Sequence, residues 1–337
     1  MLTQTMPISP ETIMQLGSSY MPARILLTSV QLGVFTHIFN GCHSLDSIAK
    51  AAKASARGMR MLLDSLCTIH LLNKKDNEYY LNNYSEKFLV KQNPDYIGAI
   101  METDWLWQAW GNLTDVVKSG KPFTKVDSKE KGQEFFPVLI KSLHVLNWDL
   151  ANKLVENMGL NQSSESLNVL DLACGTAVWS IPLAIANSNV KVVAQDFPAI
   201  IKVTQEYVKK HNVESQYSYL EGDLRDLRLS ENSFDIIYLG NIIHSEGEKA
   251  SYELLKKLFL SLKTGGKIII IDMITNEDHT EPGYPVLFAL NMLVNTVDGD
   301  TFSLGEYTQW LNDIGYSKIE TVDINSHSPV IIAHKLS

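Results

Sequence analysis

The stretch Asn168-Val-Leu-Asp-Leu-Ala-Cys-Gly-Thr-Ala-Val-Trp-Ser180 decides the fold. Val169 to Leu172 is a short apolar run that carries an acid at Asp171. It breaks into the small-residue turn Ala173-Cys174-Gly175-Thr176-Ala177, and a helical-looking segment follows. A buried parallel strand ends this way when it drops into a tight loop and starts a helix that can hold a nucleotide. Four more strand-like runs follow, Lys191–Ala194, Tyr217–Leu220, Asp235–Leu239 and Lys267–Ile271, with helix-like segments between them. This alternation predicts an α/β fold with a Rossmann-like, mostly parallel sheet covered on both faces. Two late runs, Ile319–Val322 and Val330–Ala333, have no helix between them and predict an antiparallel pair at the end of the sheet.

In such a sheet ligands sit outside the carboxyl ends of the strands. The first strand end carries the turn at 173–177. The next carry Gln195-Asp196-Phe197-Pro198, Glu221-Gly222-Asp223-Leu224, Gly240-Asn241-Ile242-Ile243-His244, and Asp272-Met273. Asp196 follows Asp171 by 25 residues, a spacing suited to an acid that accepts both hydroxyls of a ribose. Asp223 can accept an exocyclic amine of adenine while the Leu224 N–H meets a ring nitrogen. The small residues Ala173 and Gly175 let backbone approach a ligand closely. A G-x-G-x-x-G pattern is absent, which weakens a pyrophosphate reading and favours an adenosine ligand without one.

Outward from this region, length and composition set further bounds. At 337 residues the chain suggests two domains. Its hydrophobic share of 45% suits a sizeable core, and its net charge of -9 argues against a grip on nucleic acid phosphates. No apolar run approaches the roughly 20 residues that span a bilayer. The start MLTQTMPISPETIM lacks the basic and apolar blocks of a leader, and three cysteines without metal-ligand spacing fit a reducing cytoplasm. The polar segment Asn161–Ser166 reads as a linker. The expected layout is a winged-helix-like dimerisation domain over 1–100, a helical connector over 101–165 and a cofactor-binding domain over 166–337.

The first of these rests on a helix start at Ser44 and on Met59, Leu62, Leu63 and Leu66 at helical spacing. A hairpin across Leu71–Asn73 and Tyr79–Leu81 completes it. The DNA-binding version of this unit needs a basic helix, yet this one offers only Arg57 and Arg60 before Asp64. A dimerisation module is the better reading, with the apolar stretch from Ile25 to Ile38 as a face that a second subunit could cover.

From Leu16 to its end the chain resembles the class I S-adenosylmethionine-dependent small-molecule O-methyltransferases with an N-terminal winged-helix dimerisation domain. Plant phenolic, hydroxyindole and bacterial phenazine or bacteriochlorophyll enzymes belong there. LDLACGTA, QDFP, EGDL, NIIHSEGE, LKTGGKIIIIDM and FSLGEYTQWLNDIGY carry the resemblance. It implies S-adenosylmethionine as cofactor and S-adenosylhomocysteine as product. The implied cofactor set is Asp171, Ala173, Gly175, Asp196, Phe197, Gly222, Asp223, Leu224 and Asn241. Asp196 would hold the ribose, Asp223 the adenine, and the turn the methionine part. The resemblance also makes His244 the general base and puts Asp272 where the family has a glutamate. It departs in three places: Ser245 stands where the plant enzymes have an acid, Thr301 stands at a second family glutamate, and Ala173 and Ala177 replace glycines.

A neutral histidine suits a phenol or enol that must lose its proton, and an acid on its other ring nitrogen would fix the tautomer. Related enzymes line their acceptor site where this chain has Leu143, His144, Trp148, Phe288, Asn291, Met292 and Asn295. Of the clustered Trp105, Trp107 and Trp110, at least two are expected in the core or at an interface; Trp107 is assigned to the pocket. The expected activity is methylation of a hydroxyl on a small aromatic or polyketide-like acceptor by a homodimer. No metal, nucleic acid or membrane partner is expected. The alternatives are C- or N-methylation, a non-methylating reaction such as decarboxylation or cyclisation on the same fold, and a winged-helix regulator that senses a small molecule.

Overall fold

A computed structural model describes residues 8–126 and 129–336. The first seven residues of the stretch read for a leader lie outside the described residues. The chain divides into two compact units, Met1–Leu106 and Trp107–Ser337.

In the first unit, helices run over Pro10–Gly17, Tyr20–Gln31, Val34–Phe39, Leu45–Ala51 and Ala56–Thr68. The apolar stretch read as one helical region is two helices, because Gly33 adopts a left-handed φ of 66° between them. Ser44 caps the fourth helix by accepting from the Ser47 N–H, as its side chain and position lead one to expect. Strands β1 (Leu72–Lys75) and β2 (Glu78–Leu81) pair antiparallel. Met59, Leu63, Leu66, Leu72 and Tyr79 close one core with Val30, Val34, Phe35 and Ile38, so most of the Ile25–Ile38 stretch expected as a face for a second subunit is used up inside its own unit. Asp64 binds Lys74 Nζ at 2.7 Å, Arg60 at 3.2 Å and the Tyr79 hydroxyl at 2.9 Å. Two cations that a nucleic acid could use, Arg60 on the same helix and Lys74 on β1, are thereby paired with Asp64.

The second unit carries β3 (Leu167–Leu172), β4 (Val190–Asp196), β5 (Tyr217–Glu221), β6 (Phe234–Gly240) and β7 (Leu262–Ile271). It also holds the two-residue strands β8 (Ile274–Thr275) and β9 (Phe302–Ser303), then β10 (Ser317–Val322) and β11 (Val330–His334). The main sheet has the order β10-β11-β7-β6-β3-β4-β5. The β7-β6-β3-β4-β5 part is parallel throughout. β11 runs antiparallel to both β7 and β10, the hairpin expected at the sheet's end. β3 is the first strand of the sheet in the chain, and its neighbours β4 and β6 lead away to opposite sides. That reversal opens the crevice where such folds take ligands.

The helix Lys129–Asn157 belongs to this second unit. Its Ala151, Leu154 and Val155 pack into one buried cluster with Val169, Trp179 and Leu183. The boundary therefore falls at Leu106, and the 101–165 segment expected as a connector is split between the two units. The polar Asn161–Ser166 segment lies inside a unit. Its carbonyls are bound by side chains that follow β3: Asn187 donates to Glu165 O at 2.9 Å and Asn189 to Ser164 O at 2.9 Å. Polarity marked a surface connection, and cross-strand amides hold it in place. Among the described residues no helix is long and apolar enough to cross a membrane.

Candidate active site

The turn after β3 is built from backbone. Ala173, Gly175 and Ala177 alternate in the left-handed region with φ of 50°, 55° and 59°. Only small residues enter that region cheaply in a tight loop, which is why this segment is poor in side chains. Gly175 N donates to Asp196 Oδ2 at 2.9 Å, and Phe197 N donates to Asp196 Oδ1 at 2.7 Å. Each carboxylate oxygen thus keeps a lone pair for a further donor. Burial pushes the Asp196 carboxyl up to about 6, against the pull of those two N–H groups. Phe197 lies half-buried beside Ile140, Ile200 and Val203.

Gln195 ties three strand ends together, a role the sequence did not announce. Its side-chain oxygen accepts from Ala173 N at 3.3 Å, its amide donates to Gly222 O at 2.7 Å, and its backbone carbonyl accepts from Cys174 N at 3.0 Å. Gly222 N in turn donates to Asp196 O at 3.1 Å. The register Leu172↔Gln195 and Asp196↔Glu221 places these ends side by side.

Asp171 is placed differently from the other acids. It is buried, and Ser180 Oγ donates to its Oδ2, with the Tyr217 hydroxyl 3.0 Å from that same Ser180 oxygen. Burial, and then the charge of Asp196, raises its carboxyl to about 7. The side chain braces the strand against the helix that follows the turn. Asp223 is held by Arg225, whose Nε and Nη2 lie 2.9 and 2.7 Å from its two oxygens. Leu224 packs half-buried on the core of the sheet.

His144, grouped by sequence with the acceptor pocket, sits behind the turn. Its Nδ1 lies 2.9 Å from Thr176 Oγ1, and its ring packs on Trp148, Tyr207 and His211 at centroid distances of 5.2, 4.2 and 5.8 Å. Burial, and then the nearby His211 and Lys210, lowers its pKa to about 3, so the ring stays neutral. Trp148, from the same grouping, stacks on His211 at 4.4 Å. Leu143 and Trp107 are half-buried.

His244 follows β6, where Asn241 turns the chain with a left-handed φ of 58° and donates its N–H to Ile271 O at 2.8 Å. Asp272, at the end of the neighbouring β7, is buried. It accepts from the His244 N–H at 3.2 Å and from Met273 N at 2.7 Å, and its Oδ1 lies 2.5 Å from His244 Nδ1. The imidazole is therefore fixed at Nδ1, and Nε2 makes no hydrogen bond among the described residues. The His244 carbonyl is clamped by Asp300 N at 2.9 Å. Phe288 presents an edge to the His244 ring at 5.0 Å. Ser245 turns its hydroxyl to Ile242 O at 2.8 Å, and Thr301 is buried just before β9. Neither supplies the acid found in related enzymes. Beside Phe288, on the helix Gly283–Asn295, Met292 and Asn295 are buried and Asn291 accepts from Trp110 Nε1 at 3.1 Å.

Adjacent strand ends thus carry an acid with open lone pairs at Asp196, a turn bare of side chains at 173–177 and an imidazole held at Nδ1 by Asp272. Among the described residues no group of three or more His, Cys, Asp or Glu side chains could hold a metal.

Residues 110–317 match the O-methyltransferase domain model, and residues 14–91 match the O-methyltransferase dimerisation domain model. The chain is 23% identical over 333 residues to the tetracenomycin polyketide synthesis 8-O-methyl transferase TcmO of Streptomyces glaucescens, covering 97% of each. To PigF, an S-adenosyl-L-methionine-dependent methyl transferase of Serratia sp., it is 23% identical over 331 residues, 94% of this chain and 93% of PigF. The structure of human N-acetylserotonin methyltransferase in complex with SAM superposes with a TM-score of 0.84 at 19% identity, over 99% of this chain and 100% of that one.

Proposed function

Because the chain belongs to the O-methyltransferase family, we propose that it methylates a hydroxyl of a small aromatic or polyketide-like secondary metabolite, with S-adenosylmethionine as donor and His244 as general base. The observation that carries the base is the buried Asp272 carboxylate 2.5 Å from His244 Nδ1. It holds the proton on Nδ1, leaves Nε2 as the acceptor and stabilises the imidazolium once Nε2 is protonated.

The cofactor half suits the donor. Asp196 keeps a lone pair on each oxygen for the ribose hydroxyls. The turn at 173–177 offers backbone to the methionine part, and Gly222, Asp223 and Leu224 stand at the next strand end for the adenine. Asp223 must share its carboxylate between Arg225 and the adenine amine. When bound, S-adenosylmethionine supplies an electrophilic methyl on a sulfonium, and S-adenosylhomocysteine is left. The protein's own work is alignment, which can supply at best ~7–11 kcal/mol, and removal of the acceptor proton to His244 Nε2. In this reading Phe288 and Met292, one turn apart on the helix Gly283–Asn295, give a flat acceptor an apolar neighbour.

The first unit is read as the seat of a homodimer. Ile13, Met14, Leu16, Tyr20 and Met21 are exposed on its first two helices, an apolar face that a second copy would cover. Three free cysteines suit a reducing cytoplasm.

The deciding experiment is His244→Ala. Turnover should fall roughly 10²–10⁴-fold while affinity for S-adenosylhomocysteine, measured by calorimetry, stays within about twofold. Near-normal turnover sinks the base assignment. The product must gain about 14 Da on oxygen; a product without that gain points to a non-methylating reaction, and a methyl on carbon or nitrogen to the other transfer classes.

A further inference from the structure

Gln195 stands near the end of β4, the middle strand of three, in register with Leu172 on β3 and Leu220 on β5. It is 1% exposed, and a polar side chain so buried is costly unless it is hydrogen-bonded. Its two bonds run to different loops. Oε1 accepts from Ala173 N at 3.3 Å, where the turn 173–177 opens. Nε2 donates to Gly222 O at 2.7 Å, in the loop that carries Asp223 and Leu224. Ala173 N can only donate and Gly222 O can only accept, so the partners settle which way the amide points. A carboxamide supplies an acceptor and a donor side by side, whereas an ionised carboxylate or an ammonium supplies one kind alone. Asp196 also meets both loops, accepting from Gly175 N through its carboxylate and from Gly222 N through its carbonyl, but it is read as the ribose ligand as well. Gln195, with both ends of its amide engaged by protein, has no such second duty. A ligand that spans two subsites gains from the second only when their spacing matches its own length. A ligand that fills one of them is indifferent to that spacing.

We propose that Gln195 is a positioning residue: it fixes the spacing between the methionine and adenine ends of the cofactor site, so that the site favours the whole cofactor over its adenosine half. This rests on the reading that puts the methionine part at the turn 173–177 and the adenine beside Gly222–Leu224, and adds what holds the two at one distance.

The test titrates adenosine and S-adenosylhomocysteine into the full-length enzyme by calorimetry. Wild type should bind S-adenosylhomocysteine roughly 10²-fold more tightly than adenosine. Gln195→Met fills similar space without an N–H donor or a carbonyl. Gln195→Asn, the milder change, keeps the amide but is one methylene too short to reach both loops. Each variant, once a cooperative melt shows it folded, should lower the ratio of the two affinities about tenfold. The loss should fall on S-adenosylhomocysteine, with adenosine weakened by no more than about threefold. General loosening of the strand ends would cost both ligands alike, so equal weakening of the two, or a wild-type ratio in either folded variant, overturns the proposal. Wild type that binds S-adenosylhomocysteine no more tightly than adenosine would refute the placement of the cofactor and the proposal together. A wild-type preference that both variants keep would leave that placement standing and remove the role of Gln195 alone.

Discussion

The two halves of the candidate site are built on different principles. The cofactor half is backbone: a turn of alternating left-handed residues, N–H groups aimed at one carboxylate, and a glutamine that ties three strand ends. The acceptor half is side chain: a histidine on one strand end, an aspartate on the next, and a helical wall whose two asparagines are held by an indole and a hydroxyl from other parts of the unit. Backbone sites tolerate sequence change provided the conformation survives, in keeping with a solved structure of 19% identity that shares the fold over 99% of this chain. Side-chain sites change chemistry with single residues, which is where this chain departs at Ser245 and Thr301.

The largest expected effect that would break this division is in the cofactor half. Asp196→Ala removes an acid that answers two backbone donors and, in our reading, two ribose hydroxyls. Loss of two hydrogen bonds to a charged group predicts S-adenosylhomocysteine binding weaker by roughly 10²–10³-fold in calorimetry. His244→Ala should leave that affinity alone. If Asp196→Ala binds like wild type, or if His244→Ala loses the cofactor as badly, the halves are not separable.

The same contrast explains what the sequence disclosed. Strand ends declare themselves because apolar runs stop at an acid, a glycine or a small-residue turn, as at Asp196, Gly240, Asp272 and the turn that opens at Ala173. The hairpin of the first unit and its Ser44 cap are legible for the same local reason. His144 misled because a histidine on an amphipathic helix has no local mark of which side it faces; packing on Tyr207 and His211 sends it behind the turn. Gln195 and Ser180 were invisible because their partners come from other strands or across a turn. Asn161–Ser166 read as a boundary because polarity reports surface exposure, whereas a boundary is set by where the core of 129–157 lies, and it lies on the sheet.

A smaller effect distinguishes an acid that braces from an acid that binds. The Asp171 carboxyl is raised to about 7, so the folded state holds its proton at pH values where the unfolded chain, with a carboxyl near ~3.9, has lost it. The resulting stabilisation is complete below about pH 4 and is lost as pH rises through 7. His144, lowered to about 3, works the other way: the unfolded chain takes up a proton below about pH 6.5, so its contribution is lost as pH falls from there towards 3. The two slopes oppose each other in wild type, and a variant is needed to see either. Asp171→Asn keeps an oxygen for Ser180 and carries no charge. Its melting temperature relative to wild type should climb between pH 5 and pH 8. A flat difference across that range would mean that Asp171 is ionised throughout and faces a ligand or a cation.

The smallest effect tests whether the turn is defined by conformation alone. Ala173 and Ala177 both hold a left-handed φ, at a cost of roughly 1–2 kcal/mol each for an L residue. Glycine removes that cost and loses about 0.5–1 kcal/mol in the greater freedom of the unfolded chain. Ala173 is half-buried, so Ala173→Gly should be neutral or stabilising by up to ~1 kcal/mol, a rise in melting temperature of no more than about 4 °C. Ala177 is wholly buried, and its methyl contributes about 0.8 kcal/mol of packing that Ala177→Gly gives up. Ala173→Val, which forces a β-branched residue into the same region, should lower the melting temperature clearly below both. Thermal melts of the three variants should therefore rank Ala173→Gly above Ala177→Gly above Ala173→Val. Ala173→Val melting with Ala173→Gly would show that the turn does not depend on its left-handed backbone, and the alanines would then stand there for the ligand instead of for the chain.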